Sequence, residues 1–175
     1  ILMGYYNSIY NLGINNFTKK CTETGVDGLI IVDLQPEEDS ELLIKLKKEN
    51  IDLIRLITPT TDNNRLKTIL SNSSGFLYYV TITGTTGQKS ANLEELEKSI
   101  NKIRSASNLP IVAGFGIKSK KDVEDISAYT DKISAICADN LVDKRFHQSN
   151  FLEINLEKIC YFAWQYKIKN VVIPL

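Results

Sequence analysis

The 175-residue chain is 43% hydrophobic and 24% charged, a composition typical of a globular domain large enough to bury one core. Its 21 Lys and Arg residues equal its 21 Asp and Glu residues, so no basic field is available to hold nucleic acid or an anionic membrane. The apolar runs are far shorter than the roughly 18 residues of a membrane span, and no basic-then-apolar leader opens the sequence. These features favour a cytoplasmic location.

The cysteines and the histidine give no metal-binding pattern. Cys21, Cys137 and Cys160 are isolated from one another, and His147 is the only histidine. Zinc sites need paired cysteines or several histidines at short spacing. We therefore interpret the cysteines as buried free thiols, expect no metal site, and expect His147 to be solvated within its polar stretch.

Short apolar runs alternate with helical patterns along the chain. In chain order the sequence predicts strand Ile1–Tyr6, helix Asn15–Thr24, strand Gly28–Asp33, helix Pro36–Asn50, strand Asp52–Thr58, helix Asn63–Ser71, strand Gly75–Thr81, helix Leu93–Ser107, strand Pro110–Gly114, helix Lys120–Thr130, strand Lys132–Ala138 and helix Leu156–Tyr166. Within the helix that begins at Leu93, apolar residues also fall at Leu96, Ile100 and Ile103, which forms a stripe on one face.

Six strand–helix units in strict alternation require a parallel sheet, which is either open and doubly wound or closed into a barrel. In a barrel the active-site loops follow the strands. Polar and glycine-bearing segments do follow the predicted strands, at Asn7, Asp33–Pro36, Thr58–Asp62, Thr83–Gly87 and Gly114–Gly116. No G-x-G-x-x-G follows the first strand, so a nicotinamide cofactor is not indicated. The sequence therefore predicts an α/β fold of the TIM (β/α)8 barrel type.

The predicted barrel is incomplete. Six units cannot close with standard tilt and shear, and Ile1 already lies inside a predicted strand. We expect that two N-terminal βα units are missing from this sequence, so that residues 1–175 form a single partial barrel domain with strands 3–8. Such a domain would expose apolar edges at its first and last strands.

A set of motifs in this order resembles the alpha subunits of tryptophan synthase. The motifs are I-L-M-G-Y-Y-N at Ile1–Asn7, G-V-D-G-L-I-I-V-D-L-Q-P-E-E-D at Gly25–Asp39, T-P-T-T-D at Thr58–Asp62, S-G-F-L-Y-Y-V at Ser74–Val80, T-G-T-T-G at Thr83–Gly87 and P-I-V-A-G-F-G-I at Pro110–Ile117. The match runs from Ile1 to about Val142. From Asp143 onward we identify only an expected last helix.

The resemblance implies a lyase of tryptophan biosynthesis, which cleaves indole-3-glycerol phosphate into indole and glyceraldehyde 3-phosphate. One acid protonates the indole ring carbon and one base takes a hydroxyl proton, with no metal or other cofactor. In the family two carboxylates on or after the second barrel strand act in these roles, and that segment is not in this sequence. No catalytic acid or base is therefore assigned here. Asp33 ends a strand, but we interpret it as a capping or turn residue.

The resemblance places the binding half of the site on this sequence. Tyr5 and Tyr78 would line the indole and glycerol pocket, and Phe115 would pack against the indole. Leu2 and Ile117 would add apolar wall. Since an aromatic residue on a strand is more often a core residue, the barrel position is what makes a pocket role for the tyrosines as good an interpretation as a core role.

Two glycine-bearing loops complete the implied site. Thr86 and Gly87 belong to a flexible loop whose threonine would close over the substrate and orient the catalytic carboxylate. Gly116 matches a backbone donor to the phosphate. Where the family has Gly-Ser after its last strand, this sequence has Ala138 and Asp139. An aspartate there would cap the helix start itself and repel a phosphate dianion.

The implied partner is a pyridoxal-phosphate-containing beta subunit in an alpha2beta2 heterotetramer, which would receive the indole. The loops at Asn7–Gly13 and Asp33–Asp39 would face it. Two other functions stay open. The chain could be a non-catalytic partner that modulates the beta subunit allosterically, or a different barrel isomerase or epimerase of sugar phosphates, which would share the glycines but not the combined motifs.

Overall fold

The structure is a computed structural model and describes residues 1–81, 93–114, 125–134 and 173–174. Its strands are β1 (Leu2–Gly4), β2 (Gly28–Ile31), β3 (Asp52–Ile57), β4 (Leu77–Val80), β5 (Ile111–Gly114), β6 (Lys132–Ser134) and β7 (Ile173–Pro174). Its helices are α1 (Tyr6–Leu12), α2 (Ile14–Glu23), α3 (Ser40–Lys48), α4 (Asn63–Ser71) and α5 (Leu93–Ala106). Residues 125–127 are also helical, within the predicted helix Lys120–Thr130.

The described strands form one sheet in the order β6-β5-β4-β3-β2-β1-β7, and every neighbouring pair is parallel. The predicted parallel alternation is therefore confirmed. The expected open edge beside the first strand is wrong, because β7 pairs with β1 through Leu2↔Ile173 and Met3↔Pro174. This pairing gives hydrogen-bond partners to backbone groups that an edge strand would leave unpaired.

The described helices pack on one side of the sheet. Two apolar clusters fill the space between them and the strands. The first joins α1, α2 and α3 to β2 and β3, with Leu29, Ile31 and Leu53 from the strands. The second joins α4 and α5 to β3, β4 and β5, with Leu77 and Ile111 from the strands. Alternate strand residues therefore face the helices, as the two-residue period of a strand requires.

The other side of the sheet has a separate apolar cluster, here called the inner face. Its buried members are Ile30, Ile54 and Tyr78, and partly buried Ile1, Met3, Leu56, Phe76 and Val80 pack against them. All of them lie on or beside strands, and no residue of the described helices belongs to this cluster. A doubly wound sheet is covered by helices on both faces, so the observed layering within the described part of the chain is that of a barrel wall.

Most helix boundaries agree with the sequence within one or two residues, and the stripe on α5 is confirmed, since Leu96, Ile100 and Ile103 are buried. Two expectations need correction. The predicted strand Ile1–Tyr6 ends at Gly4, and it is followed by α1, a helix that the sequence pattern did not predict. Helix α3 begins at Ser40 instead of Pro36, because residues 36–38 form a turn. In the described part of the chain, no helix combines the length and the apolar character that crossing a bilayer requires.

Candidate functional site

The candidate site lies at the edge of the sheet where the strands end. Because all strands are parallel, the residues that follow them meet at this edge, here called the carboxyl edge. The register aligns Gly4 of β1 with Ile31 of β2, and Val80 of β4 with Gly114 of β5. The segments after β1, β2 and β3 therefore come together, as the sequence predicted for these polar loops, whereas the predicted loop Thr83–Gly87 lies outside the described residues.

Tyr5 continues the inner face beyond the end of β1. Its backbone is still extended (φ −108°, ψ 147°), so the alternation of side chains carries on from Met3 to Tyr5. Its side chain is 60% exposed, in contrast to the largely buried core. An exposed aromatic ring at the carboxyl edge is available to contact a ligand.

Tyr78 lies deeper on the same face. It is 1% exposed and belongs to one cluster with Ile54 of the neighbouring β3 and Ile30 of β2. The structure thus places Tyr78 within the inner-face cluster, and the strand period directs Tyr5 to the same side of the sheet, beyond the packed residues.

The structure contradicts the placement of Leu2. Its side chain packs against the cluster under α1, α2 and α3, on the helix side of the sheet. Met3, the next residue, belongs to the inner face. The strand period contained this signal, because placing Tyr5 on the inner face also requires Met3 there and sends Leu2 to the opposite side.

Asp33 connects the ends of β1 and β2. Its carboxylate Oδ1 accepts a hydrogen bond of 2.7 Å from the backbone N–H of Tyr6, the first residue of α1. The backbone N–H of Val32 donates to the Gly4 carbonyl over 2.9 Å. A helix start leaves its first N–H groups without helical partners, and Asp33 supplies one. The capping interpretation of Asp33 fits this geometry.

The segment after β2, residues 33–39, is here called the rim loop, and it contains a buried ion pair. Arg55 of β3 pairs with Asp39, and both side chains are almost fully buried, at 6% and 2% exposure. The Arg55 guanidinium Nη1 also donates to the Leu34 carbonyl over 3.2 Å. Burial lowers the pKa of Arg55, yet a guanidinium stays protonated at any physiological pH.

Arg65 of α4 holds the outer side of the rim loop. Its guanidinium contacts the Glu37 carboxylate and donates to the Gln35 side-chain oxygen over 2.9 Å. Hydrogen bonds from the backbone N–H of Glu37 and from Arg65 hold the pKa of Glu37 below its usual range. The sequence pattern did not predict either arginine as a loop partner.

The T-P-T-T-D motif after β3 is a hydroxyl-rich turn. The Thr58 hydroxyl lies 2.9 Å from that of Thr60 and 3.2 Å from that of Thr61. Lys102 of α5 donates to the Thr61 carbonyl over 2.7 Å. Asp62 then caps α4 by accepting from the Arg65 backbone N–H over 2.8 Å. These bonds fix the turn against α4 and α5.

Four of the five carboxylates in these two segments are engaged in structural contacts. Asp33 bonds the start of α1, Asp62 caps α4, and Asp39 and Glu37 pair with arginines. A general acid or base must exchange its proton with the substrate, which a carboxylate committed to such partners does poorly. Within the described residues, these four carboxylates therefore offer structural support rather than proton transfer.

Seven other predicted site residues lie outside the described residues. They are Thr86, Gly87, Phe115, Gly116, Ile117, Ala138 and Asp139. Cys137, Cys160 and His147 also lie there, whereas Cys21 is a buried free thiol, as predicted. Among the residues that the structure does describe, no group of three or more potential metal ligands occurs.

The sequence matches the family "Tryptophan synthase alpha chain" over residues 1–168. The chain belongs to this family. The tryptophan synthase alpha chain of Acidiphilium cryptum (strain JF-5) is 44% identical over 144 residues, which cover 82% of this chain and 51% of that protein. The chain thus spans about half the length of this relative of the tryptophan synthase alpha family.

Solved structures of tryptophan synthase alpha subunits have the same fold. The subunit from Campylobacter jejuni is 36% identical with a TM-score of 0.69, over 77% of this chain and 55% of that one. The subunit from Legionella pneumophila str. Paris is 32% identical with a TM-score of 0.65, over 77% of this chain and 49% of that one. The strand order β1 to β6 of this chain is therefore a segment of the family's barrel.

Proposed function

We propose that this chain provides the substrate-binding half of a tryptophan synthase alpha site, which cleaves indole-3-glycerol phosphate into indole and glyceraldehyde 3-phosphate. The observation that carries the proposal is the aromatic inner face at the carboxyl edge, with Tyr5 60% exposed at the mouth and Tyr78 below it. An apolar wall that ends in an exposed ring suits a planar indole. On β1, the residue that we propose for the apolar wall is Met3, and not Leu2.

The proton-transfer groups of this reaction are proposed to come from barrel segments that this sequence does not include. Asp33 and Asp62, the carboxylates nearest the ends of β2 and β3, are already engaged with backbone N–H groups. In the proposed site Thr86 orients the catalytic carboxylate from its loop, and Gly87, Phe115 and Ile117 complete the pocket around the indole. Side chains alone supply this chemistry, and pyridoxal phosphate belongs to the partner.

Indole binding tests the proposed wall. Tyr5→Ala removes the exposed ring, and loss of one aromatic contact, worth about 1 kcal/mol, should weaken indole binding about fivefold. Tyr10→Ala is the matched control, because Tyr10 is 68% exposed but lies on α1. Fluorescence titration with indole compares the variants with the parent chain. Equal affinities for the parent and Tyr5→Ala would remove Tyr5 from the proposed site.

The proposed phosphate site differs from that of the family because it carries a negative charge. Gly116 would donate its backbone N–H, but Asp139 brings a carboxylate to the place where the family has a serine. Two unit charges about 5 Å apart repel by roughly 3 kcal/mol at an effective dielectric near 20, before screening by salt. Ala138→Gly with Asp139→Ser should therefore tighten glycerol phosphate binding at least tenfold, which is about 1.4 kcal/mol. Calorimetric titration measures this, and unchanged affinity would contradict the assignment of Asp139.

The proposed partner is a tryptophan synthase beta subunit in an alpha2beta2 complex, located in the cytoplasm. The surface proposed to face it combines the rim loop with residues 7–13, which include Tyr10 (68% exposed) and Leu12 (40% exposed). Exposed aromatic and apolar side chains are typical of interface centres. A reducing compartment also suits the free thiol of Cys21.

A non-catalytic role is the second candidate function. The structural engagement of four of the five carboxylates after β2 and β3 favours it for this chain taken by itself. The chain would then bind the beta subunit and change its serine chemistry without cleaving indole-3-glycerol phosphate. Mixing the purified chain with the cognate beta subunit tests this candidate, and a beta activity unchanged by saturating chain would eliminate it.

A further inference from the structure

The rim loop is fixed from three directions. The N–H of Tyr6 reaches Asp33 from α1, Arg55 reaches Leu34 and Asp39 from β3, and Arg65 reaches Gln35 and Glu37 from α4. Within the loop, the Glu38 N–H donates to the Gln35 carbonyl over 3.0 Å. Five of its seven residues therefore have a side chain or a carbonyl bonded to a neighbouring element. Such a loop keeps one conformation in the absence of any partner.

Arg55 is the central contact of this arrangement and an unusual residue for its position. It lies between Leu53 and Ile57 on the helix-facing side of β3, where its neighbours are apolar. Burying an ion pair costs much of what the pair gains, and well-packed apolar residues often serve stability equally well. Fold stability therefore does not explain why an arginine is used here.

The guanidinium offers what an apolar residue lacks, which is several donors in a fixed plane. One donor bonds the Leu34 carbonyl at the start of the rim loop, and the same group pairs with Asp39 at its end. Arg55 thus ties together both ends of the segment that presents Pro36, Glu37 and Glu38. The two ends cannot move apart without breaking one of these two contacts, and separation of Asp39 from Arg55 would leave buried charges unpaired.

We infer that Arg55 and Asp39 are positioning residues that hold the rim loop in the conformation that docks on the partner protein. Docking by the rim loop rests on the proposed function, whereas the hold on the loop rests on the contacts of this chain alone. A preformed loop binds without the cost of ordering itself, so loosening it should weaken association even when the fold remains stable.

The first experiment measures loop order in the isolated chain. The double variant Arg55→Met with Asp39→Leu replaces the pair by apolar residues and should melt at the same or a higher temperature. Hydrogen exchange at the Glu38 amide should become at least tenfold faster, while exchange at the buried Leu46 of α3 stays unchanged. Unchanged exchange at Glu38 would overturn the inference.

Arg55→Lys is the second variant. It allows the inference to be tested even if the double variant does not fold. Lysine keeps a cation beside Asp39 but loses the planar fork that also reaches Leu34. Faster exchange at Glu38 in this variant supports positioning by the fork, whereas parent-like exchange would show that burial of a charge alone matters. Glu23→Gln is the control, because it removes an exposed ion pair with Lys19 on α2.

The second experiment measures docking on the cognate tryptophan synthase beta subunit by calorimetry. The double variant should bind at least tenfold more weakly than the parent although its melting temperature is no lower, and Glu23→Gln should bind like the parent. Parent-like affinity of a variant with a loosened loop would overturn the docking role of the pair. No binding by the parent chain would instead refute the proposed partner, and loop exchange would still decide whether Arg55 and Asp39 hold the loop.

Discussion

Asp62 stabilises the start of α4 through a hydrogen bond that depends on pH. Its carboxylate accepts the Arg65 N–H over 2.8 Å, and this bond lowers the pKa of Asp62 from its ordinary value of 3.8. A carboxyl whose pKa is lowered by folding adds stability above its unfolded pKa and loses that contribution as the pH falls through the folded pKa. The benefit should therefore be complete at pH 7 and lost progressively below about pH 4.

The prediction is that Asp62→Ala lowers the melting temperature at pH 7 and that this deficit shrinks as the pH is lowered towards about 2.5. Asp62→Asn is the control, since asparagine keeps an acceptor for the N–H without a titrating group. Thermal melts at both pH values measure the effect. A deficit of the same size at both would show that the charge of Asp62 contributes nothing.

Cys21 should react slowly in the native chain. Its side chain is 3% exposed in the core under α2, and burial raises the pKa of its thiol from 9.0 to about 11. Only the thiolate is nucleophilic, so a rise of this size lowers the reactive fraction roughly a hundredfold at neutral pH. In a Cys137→Ser, Cys160→Ser background, iodoacetamide should modify the native chain at least that much more slowly than the unfolded chain. Equal rates would place Cys21 at the surface.

At the scale of elements, the stability of the fold should depend on the apolar stripe of α5 much more than on the exposed face of that helix. Ile100 is 1% exposed within the cluster that joins α4 and α5 to the sheet, so Ile100→Ala leaves a cavity and should cost about 2–5 kcal/mol of unfolding free energy. Asn101→Ala, at the exposed neighbouring position, should change it by less than about 0.5 kcal/mol. Urea denaturation of both variants tests this, and similar losses would mean that the stripe is not the buried face.

The sequence predicted well those elements that form because of a pattern within one short stretch of residues. The stripe of α5 and the apolar run of β2 each occur within one short stretch of sequence. Helix α1 has only Ile9 buried, and its first N–H is satisfied by Asp33, 27 positions away. Periodicity cannot show such a helix, because its cause lies in tertiary structure.

In the candidate site too, some features follow from local sequence patterns and others depend on tertiary structure. Its position at the carboxyl edge follows from strand alternation and parallel order, and both tyrosines were predicted there. The role of Arg55 was not predicted, although a charge among the apolar residues in the middle of a strand indicates a buried acidic partner. Which acid serves as that partner depends on how the rim loop folds back over β3, and no spacing rule gives that.

For the whole molecule, we expect the 175-residue chain to show no turnover of indole-3-glycerol phosphate. A general acid and a base each commonly contribute two to four powers of ten. Four of the five carboxylates after β2 and β3 are engaged in structural contacts. A coupled assay for glyceraldehyde 3-phosphate measures this, with the chain alone and mixed with a polypeptide that carries two N-terminal βα units of the family. Cleavage by the chain alone would mean that an acid of this chain has been overlooked.

The pairing of β7 with β1 has a consequence for the order of folding. Leu2 is bonded to a strand that contains Ile173, so this contact spans nearly the whole chain, whereas the other strand pairs join sequence neighbours. Contacts between distant residues close large loops and form late. During synthesis, β2 to β5 can assemble on β1 before the residues of β7 have been added. In pulse-labelling hydrogen exchange, the β1–β7 ladder should therefore be the last part of the sheet to gain protection.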